Sequence, residues 1–267
     1  MYSIVIPYRE EPLLDWTIKN VLDQVPSAEI IAIRDEPMVG IGFRRDQGIK
    51  RASFPVVFLL DAHMGFQEGF FHSMAALVEE NRKTIACSVC RSLNEDLSAG
   101  NIHGKGAFIH EIMDKKPLLS RWNQDELQPG GILGGAYALN RDWYIDGLNC
   151  PWQYHRFWGK SEQIIAITNW IMGGKNVVNH EVWSSHMFKK TREIVPTSMA
   201  QVRMNAYFII HCLCDEDSRD RILKECYGEN LSPTFGTKSL VEMGAIEDMR
   251  GFISKFGVRE YRSFPFS

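Results

Sequence analysis

Along the first 90 residues the spacing of apolar positions switches back and forth between the two-residue or continuous pattern of strands and the three-to-four-residue pattern of helices. Residues 2–7 read as a strand, residues 12–24 as a helix with Leu14, Ile18, Val21 and Leu22 on one face, and residues 28–33 as a second strand. Residues 40–52 carry loop and helix signals. The apolar run 54–60, rich in Val, Phe and Leu, has the length of a strand covered on both faces. A helix over 67–81 and a strand over 85–90 follow. This alternation predicts an α/β fold, a mixed and mostly parallel sheet flanked by helices with right-handed crossovers. From 91 to 129 the pattern weakens around Gly100, Gly104 and Gly106, which predicts hairpins and loops. Residues 130–140 read as a glycine loop entering a strand, 161–172 as a helix stopped by Gly173-Gly174, and 176–182 as a strand leading to His186. Beyond about 198 the chain reads as helical. With no internal repeat or Pro/Ser linker, the expected organisation is one domain over 1–210 and a helical extension over 211–267 packed on it.

Composition narrows the partners. The chain has 267 residues and a net charge of -3, with 30 Lys+Arg against 33 Asp+Glu, so nothing pulls it globally toward nucleic acid or anionic lipid. It enters Ser3-Ile4-Val5-Ile6-Pro7 without a charged leader and contains no apolar run long enough for a transmembrane segment, which predicts a cytoplasmic protein. Its six cysteines suit reduced thiols. Cys87 with Cys90 and Cys212 with Cys214 could form two halves of a zinc site, but both pairs lie in apolar runs, and buried structural cysteine is favoured.

The charged residues that could carry chemistry cluster at strand ends. Phe58-Leu59-Leu60-Asp61-Ala62-His63 is an apolar run that stops at a carboxylate and an imidazole one residue apart. The carboxyl ends of strands are where open α/β sheets bind ligands, and a hard divalent ion, Mn2+ or Mg2+, could be gripped there together with nucleotide phosphates. Equally, Asp61 could open a turn and cap a helix following Gly65. Pro7-Tyr8-Arg9-Glu10 follows the first strand, Arg34-Asp35-Glu36 the second, and Arg44-Arg45-Asp46 precedes the third. Carboxylates there can accept hydrogen bonds from a base or ribose, and arginine can meet a phosphate. Taken singly, each is better explained by a solvated loop, and it is their joint placement that points to a site.

In these motifs the chain resembles the nucleotide-sugar glycosyltransferases of GT-A fold, over much of its first 210 residues. Ile4-Val5-Ile6-Pro7-Tyr8-Arg9-Glu10 is similar to their "VIPxYNE" opening, and residues 40–52 to the "GxxxARNxGxxxA" segment before the metal strand. Asp61-Ala62-His63 stands in place of their Asp-x-Asp motif. The Asp-x-His form resembles the branch of the polypeptide N-acetylgalactosaminyltransferases. Gly134-Gly135-Ala136-Tyr137-Ala138-Leu139-Asn140-Arg141-Asp142 is similar to that branch's "GGLFAIDRDYF". Trp158-Gly159, Trp170 and Gly173-Gly174 keep the spacing of its "WGGEN…WMCGG", and His186-Met187-Phe188-Lys189 resembles its "HVFR".

The resemblance implies Asp61, His63 and His186 as metal ligands for Mn2+ or Mg2+. It also implies Pro7, Tyr8, Glu10, Asp35, Arg45 and Ala62 around the nucleotide, a uridine diphosphate, with Lys189 on the diphosphate. Gly134, Gly135 and Trp158 would line the sugar pocket. Without a gap, Ser161 rather than Glu162 takes the place of the family's glutamate, so either a one-residue shift brings Glu162 into the site or the acidic function has moved. Ser161-Glu162-Gln163 lacks the aspartate base of inverting relatives, since glutamine cannot take a proton, and this favours retention. Residues 189–202 have a composition suited to a flap. The implied activity is metal-dependent sugar transfer from a UDP-sugar. The acceptor could be a glycan, a lipid-linked glycan or a protein, with hydroxymethylated pyrimidine in DNA second. A nucleotidyltransferase would ordinarily carry a glycine-rich loop after the first strand, where this chain has none. A non-catalytic binding protein would have lost the ligands that Asp61, His63 and His186 provide.

Overall fold

The computed structural model describes residues 1–111, 119–122, 130–153, 155–156, 159–188, 205 and 249–256. Three strands open the sheet: β1 (Ser3–Tyr8), β2 (Glu29–Arg34) and β3 (Val56–Leu60), with β1 parallel to both of the others. Helix α1 (Leu14–Gln24) and helix α2 (Ile41–Arg51) make the crossovers. Then come β4 (Met64–Phe66), α3 (Phe70–Glu80), β5 (Thr84–Leu93) and β6 (Ala99–Gly104), followed by a separate hairpin of β7 (Ala107–Glu111) with β8 (Leu119–Trp122). Strand β9 (Ala136–Asn140), a π-helical turn (Trp143–Gly147), α4 (Ser161–Ile171), β10 (Lys175–His186) and α5 (Met249–Phe256) complete the described elements.

The order across the main sheet is β2-β1-β3-β9-β5-β10-β4, with β6 on β5. Strands β2, β1, β3, β5 and β10 run one way; β9, β4 and β6 run against them. The sheet is thus mixed, α/β, and mostly parallel in direction, as the alternating pattern predicts. Both faces are covered, which is why β3 is apolar at every position. Val57 and Leu59 pack into the cluster containing Ile49 of α2 and Ile164 of α4, while Val56, Phe58 and Leu60 pack into the one containing Val21 of α1 and Phe70 and Phe71 of α3. Burying each such side chain contributes roughly 1.5–3 kcal/mol.

Three expectations are corrected. Gly65 does not precede a helix: Met64-Gly65-Phe66 form β4 against Ser184, Ser185 and His186, and α3 begins only after the left-handed Gly69. The last strand extends to His186 itself, through a register shift between Asn179 and Trp183. Its polar residues hide this in the sequence, because buried Ser184 is satisfied by Ser88 and the Trp183 amide donates to Gln67. Strand β5 runs on to Leu93 because β6 returns beside it as a hairpin, with Asn94 and Ser98 bonding across the turn.

Cys87 and Cys90 are buried in β5 as structural thiols, burial pushing them up to about 11 and about 12. Cys212 and Cys214 lie outside the described residues. Phe252 of α5 is fully buried and meets Trp170 edge-on at 5.5 Å, which docks this helix on α4. Among the described residues no helix is long and apolar enough to cross a membrane.

Candidate metal and sugar-donor site

Strand β3 delivers Asp61 at its carboxyl end, where the Asp61 amide donates to the Gly135 carbonyl at 2.7 Å. The next turn presents His63, and β10, antiparallel to β4, brings in His186 from 123 residues further on. His63 Nε2 and His186 Nε2 lie 3.0 Å apart, and His186 Nε2 is 3.4 Å from Asp61 Oδ2. All three side chains are half-buried, and their ligand atoms lie within 4.8 Å of one another. Two facing neutral imidazole nitrogens cannot both carry hydrogen, so at least one lone pair enters the gap. Neighbouring ligands held at about 2.1 Å around an octahedral ion are spaced about 3 Å apart, and these separations match that spacing. Two imidazoles beside one carboxylate are accepted more readily by Mn2+ than by Mg2+, which prefers an all-oxygen shell.

Behind these ligands lies Arg45, on the second turn of α2. It is 2% exposed, and it donates to Asp61 Oδ1 at 3.0 Å and to Glu162 Oε1 at 2.8 Å. The guanidinium also sits 5.2 Å from the ring centre of Tyr137 and 6.0 Å from that of Trp152, so aromatic faces help offset its desolvation. Burial works against ionisation of Asp61, but the hydrogen bond from His186 and the charges of Arg45, His186 and His63 hold its carboxyl below the usual range. The reading of Asp61 as a helix cap is therefore excluded by its partners.

Glu162 reaches the site from the first turn of α4. Ser161 Oγ donates to its second oxygen at 2.8 Å, and a Cβ placed on Gly134 would lie 3.5 Å from its Cδ. Glu162 thus stands beside Gly134 and on Arg45. Ser161 is buried, its carbonyl accepting from Trp152 Nε1. Gly135 has φ of +98°, and a Cβ there would meet His186 Cδ2 and Met64 Sδ at 3.3 Å.

A second group of expected residues sits at the ends of β1 and β2. Pro7 is buried, Tyr8 half-buried and Glu10 exposed in a left-handed turn. Asp35 is 8% exposed; its amide donates to the Tyr8 carbonyl, and its carboxylate accepts from the Val39 and Gly40 amides and from Arg44 Nε at 3.0 Å. It thus shapes the loop that enters α2. Ala62 is buried between the two ligands of the Asp-x-His motif. Trp158, Lys189 and the expected flap over 189–202 lie outside the described residues. Sequence reasoning missed Glu11, whose Oε2 lies 3.0 Å from His63 Nδ1. The available signal was a second carboxylate directly before Pro12, at the same sheet edge.

No protein-family model matches the sequence. Among curated proteins it is similar to polypeptide N-acetylgalactosaminyltransferase 11 of Xenopus tropicalis, with 23% identity over 203 residues, 71% of this chain and 33% of that protein. Polypeptide N-acetylgalactosaminyltransferase 10 of Mus musculus is 24% identical over 184 residues, covering 64% of this chain and 30% of its own length. The chain thus spans about a third of the length of the curated relatives it matches. Among solved structures, GalNAc-T7 with UDP, GalNAc and Mn2+ superposes with a TM-score of 0.73 at 14% identity, over 96% of this chain and 57% of that one. S. aureus TarS in complex with UDP-GlcNAc gives 0.52 at 13% identity, over 84% and 70%. The fold is the GT-A fold of nucleotide-sugar glycosyltransferases.

Proposed function

We propose that this chain transfers a sugar from a UDP-sugar to an acceptor hydroxyl, using a divalent ion held by Asp61, His63 and His186. The observation that carries this reading is the convergence of those three ligand atoms beside a carboxylate, Glu162, tethered through Arg45 to the same Asp61. The ion, Mn2+ or Mg2+, would supply charge neutralisation for the departing diphosphate. Arg45 keeps Asp61 ionised and aimed. The same guanidinium and Ser161 fix both oxygens of Glu162. A carboxylate so restrained is suited to hold a sugar or acceptor hydroxyl in place, and unsuited to swing as a base. That supports transfer with retention, the acceptor attacking from the face the diphosphate leaves.

Pro7, Tyr8, Glu10, Asp35 and Ala62 surround the nucleotide in this reading, and Gly134 and Gly135 leave room for the sugar. Trp158 would close the sugar pocket, and Lys189 would pair with the diphosphate. The acceptor class is a glycan or glycoconjugate, with hydroxymethylated pyrimidine in DNA second. A panel of nucleotide sugars, assayed with and without Mn2+ for release of nucleoside diphosphate, tests the proposal. Metal-dependent release from one donor, lost in His63→Ala, is expected. Pyrophosphate release from a nucleoside triphosphate plus a sugar phosphate would overturn it.

A further inference from the structure

We infer that Glu11 is a positioning residue for the metal site, fixing the ring of His63 so that its Nε2 lone pair faces the ion. The inference rests on the proposed metal site and adds a residue beyond those the resemblance assigns to it. Glu11 follows the left-handed Glu10, and its carbonyl accepts from the Leu14 amide as the chain turns into α1. That helix is docked on the turn carrying His63. Thr17 Oγ1 accepts from the Met64 amide at 3.0 Å, and a Cβ on Gly65 would come within 2.9 Å of the Trp16 ring. The Glu11 side chain is held in this corner with 6% of its surface exposed, and its Oε2 lies 3.0 Å from His63 Nδ1.

With Glu11 ionised the carboxylate has no hydrogen to give, and we assign the hydrogen of this contact to Nδ1. In the neutral ring that leaves Nε2 bare. Nε2 is the atom that faces His186 Nε2 at 3.0 Å, on the side of Asp61. An ion pair of no further consequence would not require the opposite ring nitrogen to point at two other ligands. A carboxylate behind a ligating imidazole fixes its tautomer, restrains its rotation and raises its basicity, and loss of such a partner typically weakens metal binding about 10- to 100-fold. His186 has no equivalent support, because its Nδ1 is buried without a hydrogen-bond partner among the described residues. The burden of pre-organising the imidazole pair therefore falls on Glu11.

The test is the affinity for Mn2+ alone, measured by the electron paramagnetic resonance signal of free Mn2+ on the full chain. Glu11→Ala is expected to bind Mn2+ about 10- to 100-fold more weakly. Glu11→Gln, which keeps an oxygen able to accept from Nδ1, loses less. Thermal melts in EDTA check that both variants are folded. If Glu11→Ala stays within about twofold of the parent while His63→Ala loses binding, the role of Glu11 is overturned and the metal site stands. If His63→Ala also binds normally, the metal site itself is overturned. A second measurement needs no variant: imidazole nitrogen-proton correlation in the metal-free protein at pH 8 should place the His63 hydrogen on Nδ1, and a hydrogen on Nε2 would overturn the inference even if Glu11→Ala did not fold.

Discussion

At the scale of single residues, the buried charges are the informative ones. Asp61, His63 and His186 were legible as a set only through the resemblance, since each alone is compatible with a cap or a core histidine. Arg45 reads in sequence as a phosphate-binding cation, yet its guanidinium is turned to Asp61 and Glu162 and packed on Tyr137 and Trp152. No local pattern encodes this, because its two carboxylate partners lie 16 and 117 residues away. His155 shows the same dependence on surroundings. It is 3% exposed, donates from Nε2 to the Gly159 carbonyl, and lies where a Cβ on Gly42 would come within 2.5 Å of its ring. Burial pushes it down to about 4, from an ordinary value near 6.5. Between those values the unfolded chain binds a proton that the folded one refuses, so stability falls as pH drops through that window. The expected loss is about 3 kcal/mol between pH 6.5 and pH 4. Urea denaturation across this range should show a shallower pH slope in His155→Gln, and identical slopes would refute the assignment.

Elements decide where those residues can go. The apolar period predicts β1, β2, β3 and the helices between them, because both sheet faces are covered and each element must be apolar where it meets the core. It misses β4 and the carboxyl end of β10, where buried Ser184 is satisfied by Ser88 of the neighbouring strand and the polar pattern imitates a loop. The corner between β4, β9 and β10 depends on Gly135, whose φ of +98° a side chain rarely adopts. Gly135→Ala is expected to cost about 1–2 kcal/mol for the left-handed backbone. It should also weaken Mn2+ binding on the order of tenfold, as the new methyl displaces His186. At Gly134 φ is not positive, and an added Cβ would make ordinary contact with Glu162, so Gly134→Ala should spare metal affinity. Thermal melts and Mn2+ titrations on the pair decide whether the metal corner is this tightly built.

For the whole molecule, the described part of the C-terminal region belongs to the same core as the sheet. Phe252 is fully buried against the partly buried Trp170 and Phe256, and a Cβ on Gly130 would strike both phenylalanines. Phe252→Ala is predicted to destabilise the chain by about 3–5 kcal/mol, measured by chemical denaturation. A chain cut after residue 210 should be destabilised at least as much; full stability in the truncated form would show that residues 1–210 stand alone. Sequence by itself determined the α/β alternation, the apolar strand that ends in Asp61, and the ordered motifs that point to sugar transfer, because these rest on local period and on short spacings along the chain. Tertiary structure alone decided that Glu162 would stand beside Gly134, that Arg45 would bind two carboxylates and that Glu11 would back His63. Those pairings join strand ends and helix turns far apart in sequence. Their electrostatics depends on burial, which exists only once the sheet has closed.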